Sequence, residues 1–557
     1  MCEPSRPPEF RYWGKSDRGD PHRYHLLPYH MLDVAAVYHG LLARRTTMLR
    51  HFAAAFEVSD DVFLQFGTFL VALHDLGKFA ESFQRKSEAA FRECFPARSD
   101  RVWKTAHHAQ LGAILWHHRV RPALAALDKA SSLECLAMPA EDPIGLWSLT
   151  SFHHHGRPES THLHLGRGGR GLTRYMDECD ISAAVSVSTG FRELFEVARL
   201  ADELPTGSVS PAALEASWWL AGATIVADWL GSNRRWFEMY REPQPLERYW
   251  HEVALPAAAR ALTDTTLIPA PPSPLRPPSA VVGIPEADLR PMQRAAAEVT
   301  LGEGPRLFIV EDSTGSGKTE AAVLLIHRLL AAGRADGFYI ALPTTATANA
   351  MYERTARRYR SLFADDGAPS LVLAHSSRDR SAAYRTSIGM ETPANERSYD
   401  ENGPAPASTV CNAWFADHPK KALLADGGVG TVDQALLAVL TCRHQPLRAY
   451  GLYRKVLVVD EVHAYQAYQN RLLQHLLAAH ATAGGSAVLL SATLPGNVRH
   501  GLVEAFQGRL GRQATRDAVA SMDYPLLTTA GRSGDPSNVK VEEHEERTVP
   551  LRLVHDH

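Results

Sequence analysis

The sequence predicts a multidomain chain in which an all-α part is followed by an α/β part built on a mostly parallel sheet. Three observations carry this. Up to about residue 262, apolar residues recur at three- and four-residue spacing between Gly/Pro-rich breaks. From about 285 onward, short near-continuous apolar runs alternate with helical stretches, the pattern of a sheet covered on both faces. Between the two, Pro269-Ala-Pro-Pro-Ser-Pro-Leu-Arg-Pro-Pro278 suits neither a helix interior nor a central strand, so a linker is placed at 263–284, as a semi-rigid spacer or a surface loop.

The 557 residues fit roughly two to four domains with ample apolar content. A formal net charge of -3 gives no overall basic character, so any nucleic-acid contact must use local patches. Six scattered cysteines without a C-x-x-C pair argue for a reducing compartment and against a zinc ribbon or disulfide framework. The N-terminus carries no apolar signal region and no run of about 18 apolar residues is present. A soluble cytoplasmic protein with no membrane contact is expected.

In the first part, 1–262, helical periodicity is clearest in Met31–Leu42, Val62–Leu73, Leu111–Trp116 and Trp218–Leu230. The Gly/Arg run at 166–171 reads as a loop. In the second part, 285–525, strands are expected at Leu307–Val310, Gly337–Leu342, Leu371–Leu373, Lys455–Asp460 and Ser486–Ser491. A polar stretch from about 376 to 420 reads as a loop insertion, and 526–557 as a tail or the start of a further lobe.

Directly after the first of those strands comes Asp312-Ser-Thr-Gly-Ser-Gly-Lys-Thr-Glu320, followed by an Ala/Leu-rich helical segment. Gly315, Ser316 and Gly317 form a turn whose backbone N–H groups can converge on phosphate oxygens at a helix N-terminus. Lys318 would reach the terminal phosphates of ATP, and the Thr319 hydroxyl would sit on Mg²⁺. Asp460-Glu-Val-His463 follows another strand: Asp460 would hold the ion through water and Glu461 would polarise the attacking water.

Histidine is the compositional outlier, with 16 of 27 before residue 265. Leu73-His-Asp-Leu-Gly-Lys78 is the pivot of that part, because adjacent His74 and Asp75 offer an imidazole and a carboxylate able to bridge two ions. A mixed N/O shell suits Fe, Mn, Co or Ni better than Mg²⁺. His30, His107/His108, His153–His155 and Asp228 each lie in or after an apolar helical stretch, which is what pointing ligands inward from several helices requires.

Gln293, Pro343-Thr-Thr345, Gly430-Thr-Val-Asp-Gln434 and Ser491-Ala-Thr493, together with the phosphate loop and the acidic motif, resemble the first RecA-like lobe of DExH-type superfamily 2 helicases. The histidine and aspartate order resembles the HD phosphohydrolase superfamily. The combination resembles the CRISPR-associated type I nuclease-helicases, DNA-degrading effectors recruited by the Cascade surveillance complex. That resemblance implies one metal held by His30, His74, Asp75 and Asp228, and a second held by Asp75, His108, His154 and His155. It implies catalytic roles for His74, Asp75, Lys78 and Glu461, with Lys78 neutralising charge on the phosphoryl group. Gln293 would read adenine, and Ser491 and Thr493 would couple ATP state to lobe movement. Thr344 and Thr431, with free hydroxyls, would hold single-strand phosphates. His108 is preferred to His107 as a ligand; His22, His25, His39, His117, His118, His153, His162 and His164 are read as packing or solvent-facing.

Only 64 residues follow Thr493, against the 100-plus usual for a second lobe. The expectation is therefore metal-dependent cleavage of single-stranded DNA, with Cascade on R-loop DNA as partner. ATP-driven unwinding would then need a chain supplying lobe two. Two other functions fit the same motifs: an idle or regulatory module, and a nucleotide phosphohydrolase with a fused ATPase lobe.

Overall fold

The computed structural model describes residues 7–542 except 18, 21, 97, 99–101, 128–141, 157–166, 376–414, 416–418 and 510–522. The expected insertion at 376–420, His162, His164 and the end of the expected tail thus fall largely or wholly outside the described residues. Two compact units are present, one of residues 1–268 with 440–451, the other of 269–439 with 452–557.

The first unit is helical, apart from a two-stranded antiparallel ribbon of β1 (Trp13–Ser16) and β2 (Tyr24–Leu26). Five helices position the candidate residues: α1 (Leu27–Arg44), α2 (Asp60–Ala72), α3 (His108–Leu115), α4 (Pro143–Phe152) and α5 (Pro211–Gly231). Their starts follow from capping chemistry. Ser59, Asp142 and Ser210 accept N–H bonds from the first turns of α2, α4 and α5, and proline opens α4 and α5 at the position where a missing N–H costs least. Packing is aromatic at the centre, where Phe63 and Trp147 stack at 4.4 Å. Residues 440–451, which lie between two strands of the other unit in sequence, pack within this one.

The second unit is an eight-stranded sheet in the order β10-β9-β3-β8-β7-β4-β6-β5. The strands are β3 (Arg306–Glu311), β4 (Gly337–Leu342), β5 (Leu371–Ala374), β6 (Gly427–Thr431), β7 (Lys455–Val459), β8 (Ala487–Ser491), β9 (Leu526–Gly531) and β10 (Ser537–Lys540). From β3 to β5 every pairing is parallel; β9 lies antiparallel to β3 and forms a hairpin with β10. Residues 526–531, in the stretch read as a tail, therefore complete this sheet. The proline-rich segment is tied to the same unit, since the Ala270 N–H donates to Asp426 Oδ1 at 2.9 Å and the Ser273 N–H to Leu362 O at 3.1 Å.

Among the described residues, no helix is long and apolar enough to cross a membrane.

Candidate metal centre and nucleotide site

Asp75 is the last residue of the turn Leu73–Asp75 that follows α2, and is fully buried. Its two carboxylate oxygens face different histidines. Oδ2 lies 3.1 Å from Nε2 of both His30 and His74, whereas Oδ1 lies 3.5 Å from His108 Nε2 and 3.7 Å from His154 Nε2. Asp228 Oδ1 reaches His74 Nε2 at 4.0 Å, and His155 Nε2 is 2.7 Å from His108 Nε2. All seven expected ligands are thus brought together from α1, the α2 terminus, α3, the turn after α4, and α5.

Local hydrogen bonds aim the rings. His74 Nδ1–H donates to Val71 O and His154 Nδ1–H to Ser151 O, both at 2.9 Å, which leaves each Nε2 with its lone pair directed at Asp75. Glycines allow the approach. A Cβ on Gly77 would lie 1.8 Å from the His108 carbonyl oxygen, and one on Gly231 would lie 2.8 Å from the backbone of Val34 on α1.

Asp75 Oδ1, His74 Nε2 and both His30 ring nitrogens are buried without hydrogen-bond geometry to any partner, and Asp75 Oδ2 is balanced by the Lys78 ammonium. Buried polar atoms are normally satisfied, so a convergent set left this way fits a cation site. Electrostatics point the same way. Burial pushes His30 and His155 down to about 3 and His154 to about 4, so their imidazoles are neutral at neutral pH. Burial would raise Asp75, but the Lys78 ammonium, His74 and His30 outweigh it and hold the carboxyl well below the usual carboxylate range. Lys78 Nζ also donates to Gly14 O at 3.3 Å.

His107 accepts the Ala109 N–H at 3.4 Å as the cap of α3 and lies with His108 and His155 in a further group of three potential ligands. His25 pairs with buried Asp33 at 2.9 Å, and its ring meets that of His30 edge on at 6.5 Å. Lys15 on β1 escaped sequence reading, because a four-residue strand leaves little pattern. Burial pushes its ammonium down to about 8, with Asp228 opposing and Lys78 adding to the shift.

In the second unit the carboxyl ends of β3, β7 and β8 converge, the usual place for a ligand in an open α/β sheet. Asp312 N–H donates to Ser491 O at 3.2 Å, joining the β3 and β8 ends. Gly315 and Gly317 take left-handed φ values of 82° and 94°, which lets the loop turn into the helix Lys318–Ala331. Lys318 Nζ donates to Asp312 O and Ser313 O at 2.7 and 2.8 Å, so its ammonium is held over the loop. Gln293, Lys318, Thr319, Asp460 and Glu461 line one cleft. Buried Ser316 sits in the loop itself, and Gln293 is held beneath it by bonds to Arg290 N and Gly317 O.

Burial and Glu461 together raise Asp460, while Glu461 N–H donates to its Oδ1 at 2.9 Å. His463 links the acidic motif to Ser491 Oγ at 3.3 Å, and that hydroxyl in turn donates to Thr493 O at 3.0 Å. Two expectations need correction. Thr344 does not offer a free hydroxyl: it closes a reciprocal cap with Thr347, because the helix Thr345–Ala356 starts there and its first N–H groups need acceptors. Thr431 is buried at the end of β6.

Comparison with known proteins follows this division. Residues 13–237 match the family model for the Cas3 HD domain, and residues 290–393 match the DEAD/DEAH box helicase model. The chain is 31% identical over 540 residues to the CRISPR-associated endonuclease/helicase Cas3 of Escherichia coli K12, covering 94% of this chain and 58% of that protein. It is also 31% identical to the Thermus thermophilus protein of the same description, covering 89% of this chain and 51% of that one. A crystal structure of T. fusca Cas3-AMPPNP superposes with a TM-score of 0.74 at 25% identity, covering 95% of this chain and 56% of that one. The chain spans somewhat more than half the length of these relatives.

Proposed function

We propose that this chain is a member of the CRISPR-associated Cas3 nuclease/helicase family, a reading supported by its similarity to Cas3 proteins, with its helical unit a metal-dependent nuclease acting on single-stranded DNA and its α/β unit an ATP-binding helicase lobe. One observation carries the nuclease reading: a single buried carboxylate presents its two oxygens to two separate histidine sets. His30, His74, Asp75 and Asp228 would hold one divalent ion, and Asp75, His108, His154 and His155 the other. Such a pair of ions supplies an activated water and charge stabilisation at a phosphodiester. The mixed nitrogen and oxygen donors suit Mn, Fe, Co or Ni.

The chain's own groups orient and balance this site. His74 and His154 are held in one tautomer by backbone carbonyls, so no proton has to leave them before they ligate. Lys78, paired with Asp75, carries the positive charge that would face a phosphoryl oxygen once Asp75 is neutralised by ligation.

In the α/β unit, Lys318 and the loop N–H groups would hold ATP phosphates, Thr319 and Asp460 would hold Mg²⁺, and Glu461 would orient water. Gln293 would read adenine. ATP-driven unwinding would in addition use a second RecA-like lobe that closes on the γ-phosphate. The cleft lined by Gln293, Lys318, Thr319, Asp460 and Glu461 supports the ATP-binding part of this reading. Recruitment by Cascade to R-loop DNA, in the cytoplasm, completes the reading as type I CRISPR defence.

The test is substrate preference with Mn²⁺ or Co²⁺ and no ATP. The proposal expects shortening of a single-stranded oligonucleotide and little release from free nucleotides. The reverse preference would make the helical unit a nucleotide phosphohydrolase.

A further inference from the structure

We infer that His444 is a positioning residue for the metal centre, a role that rests on the two-metal reading above. It lies in the 440–451 segment, which belongs to the helical unit although the strands flanking it in sequence, β6 and β7, are in the sheet. Its backbone and its ring touch both arms of the ligand cluster.

The first arm is the turn after α4. Gly156 N–H donates to His153 O at 2.9 Å, closing a tight turn whose two central residues are His154 and His155. His444 N–H donates to Gly156 O at 2.8 Å, tying down the residue that ends this turn. Its ring is seated directly against Gly156, where a Cβ would lie 2.4 Å from Nδ1. Gly156 has a φ of 76°, which lets the chain turn away with nothing between it and the ring.

The second arm is α5. The His444 ring also meets the Trp229 ring at 5.7 Å, edge on, and Trp229 is the residue after Asp228. The 440–451 segment approaches the same helix again at Gly222, where a Cβ would lie 2.4 Å from Pro446 O. His444 itself is buried and holds a left-handed φ of 62°, a conformation kept by non-glycine residues only where the surroundings enforce it. The ring is therefore a wedge that fixes the His154–His155 turn relative to Asp228. It adds to the packing of α4 on α5 a contact that reaches the ligand-bearing ends of both.

The experiment titrates Co²⁺ into the full chain and reads its visible absorption, in wild type, Asp75→Ala, His444→Gly and His444→Asn. Glycine and asparagine both tolerate the left-handed backbone and keep the N–H bond to Gly156, so they remove or shrink the wedge alone. His444→Gly is expected to weaken Co²⁺ binding about tenfold, within the range for an outer-shell contact, and to alter the spectrum. His444→Asn should lose less. Wild-type affinity and spectrum in His444→Gly would overturn the inference while leaving the metal centre intact. If His444→Gly does not fold, wild-type behaviour in His444→Asn overturns it equally. Failure of wild type itself to bind Co²⁺ better than Asp75→Ala would overturn the metal centre, and this role with it.

Discussion

Lys78 Nζ lies 2.5 Å from Asp75 Oδ2, a pair in which the ammonium is 11% exposed and the carboxylate not at all. Removing one member of such a pair leaves the other buried and unbalanced, a cost of about 3–5 kcal/mol. Lys78→Met should accordingly lower the stability of the metal-free protein by that order. Saturating Co²⁺, which would supply the missing positive charge, should recover most of it. Urea melts with and without Co²⁺ check this; equal destabilisation in both would mean that Lys78 does not share Asp75 with a cation.

Gly77 is the close contact between the end of α2 and the start of α3. Gly77→Ala would place a methyl carbon 1.8 Å from the His108 carbonyl oxygen, so α3 must move. Overpacking against backbone costs about 1–3 kcal/mol or more. Thermal denaturation should show that loss, and equilibrium dialysis should show weaker binding of the ion assigned to His108. A variant of wild-type stability and metal content would contradict this placement of α3.

The proposed ATP site and the candidate metal centre are expected to be chemically separable. Lys318→Ala removes the ammonium held over the phosphate loop by Asp312 O and Ser313 O and should reduce ATP binding at least tenfold. Metal-dependent cleavage of single-stranded DNA without ATP should stay within about twofold of wild type. Nucleotide binding by fluorescence and cleavage by gel assay, on one preparation, decide it.

His480 gives the α/β unit a pH dependence of defined sign. Its Nε2–H donates to Lys455 O and Ser486 O, and burial lowers its pKa from 6.5 to about 4 against the opposing effect of those bonds. As pH falls, the unfolded chain takes up this proton first. The contribution is complete above about pH 6.5, is lost between there and about 4, and amounts to roughly 3 kcal/mol. His480→Gln, whose amide can donate to the same carbonyls, should flatten the fall in melting temperature over that window.

Much of this architecture is legible in the sequence because of how its strands are buried. β3, β4, β5, β7 and β8 are covered on both faces and read as apolar runs. β6 is hidden by its glycines, which are there because a Cβ on Gly427 or Gly428 would meet the Phe338 or Tyr339 ring at 2.6 Å. The β9–β10 pairing depends on a contact with β3 more than 200 residues away in sequence, which no local pattern reports. In the candidate metal centre, the histidine and aspartate positions are readable one by one. Which Asp75 oxygen faces which histidine is set by how α1, α3 and α5 pack around it. The association of 440–451 with the helical unit has no local signal at all.

The most direct measurement is cleavage of circular single-stranded DNA by this chain without ATP, across Mg²⁺, Mn²⁺, Co²⁺ and Ni²⁺, beside Asp75→Ala. The account predicts cutting with the transition metals, little with Mg²⁺, and none in the mutant under any metal. Folded wild-type protein that cuts with no metal, or Asp75→Ala that cuts as well as wild type, would contradict it.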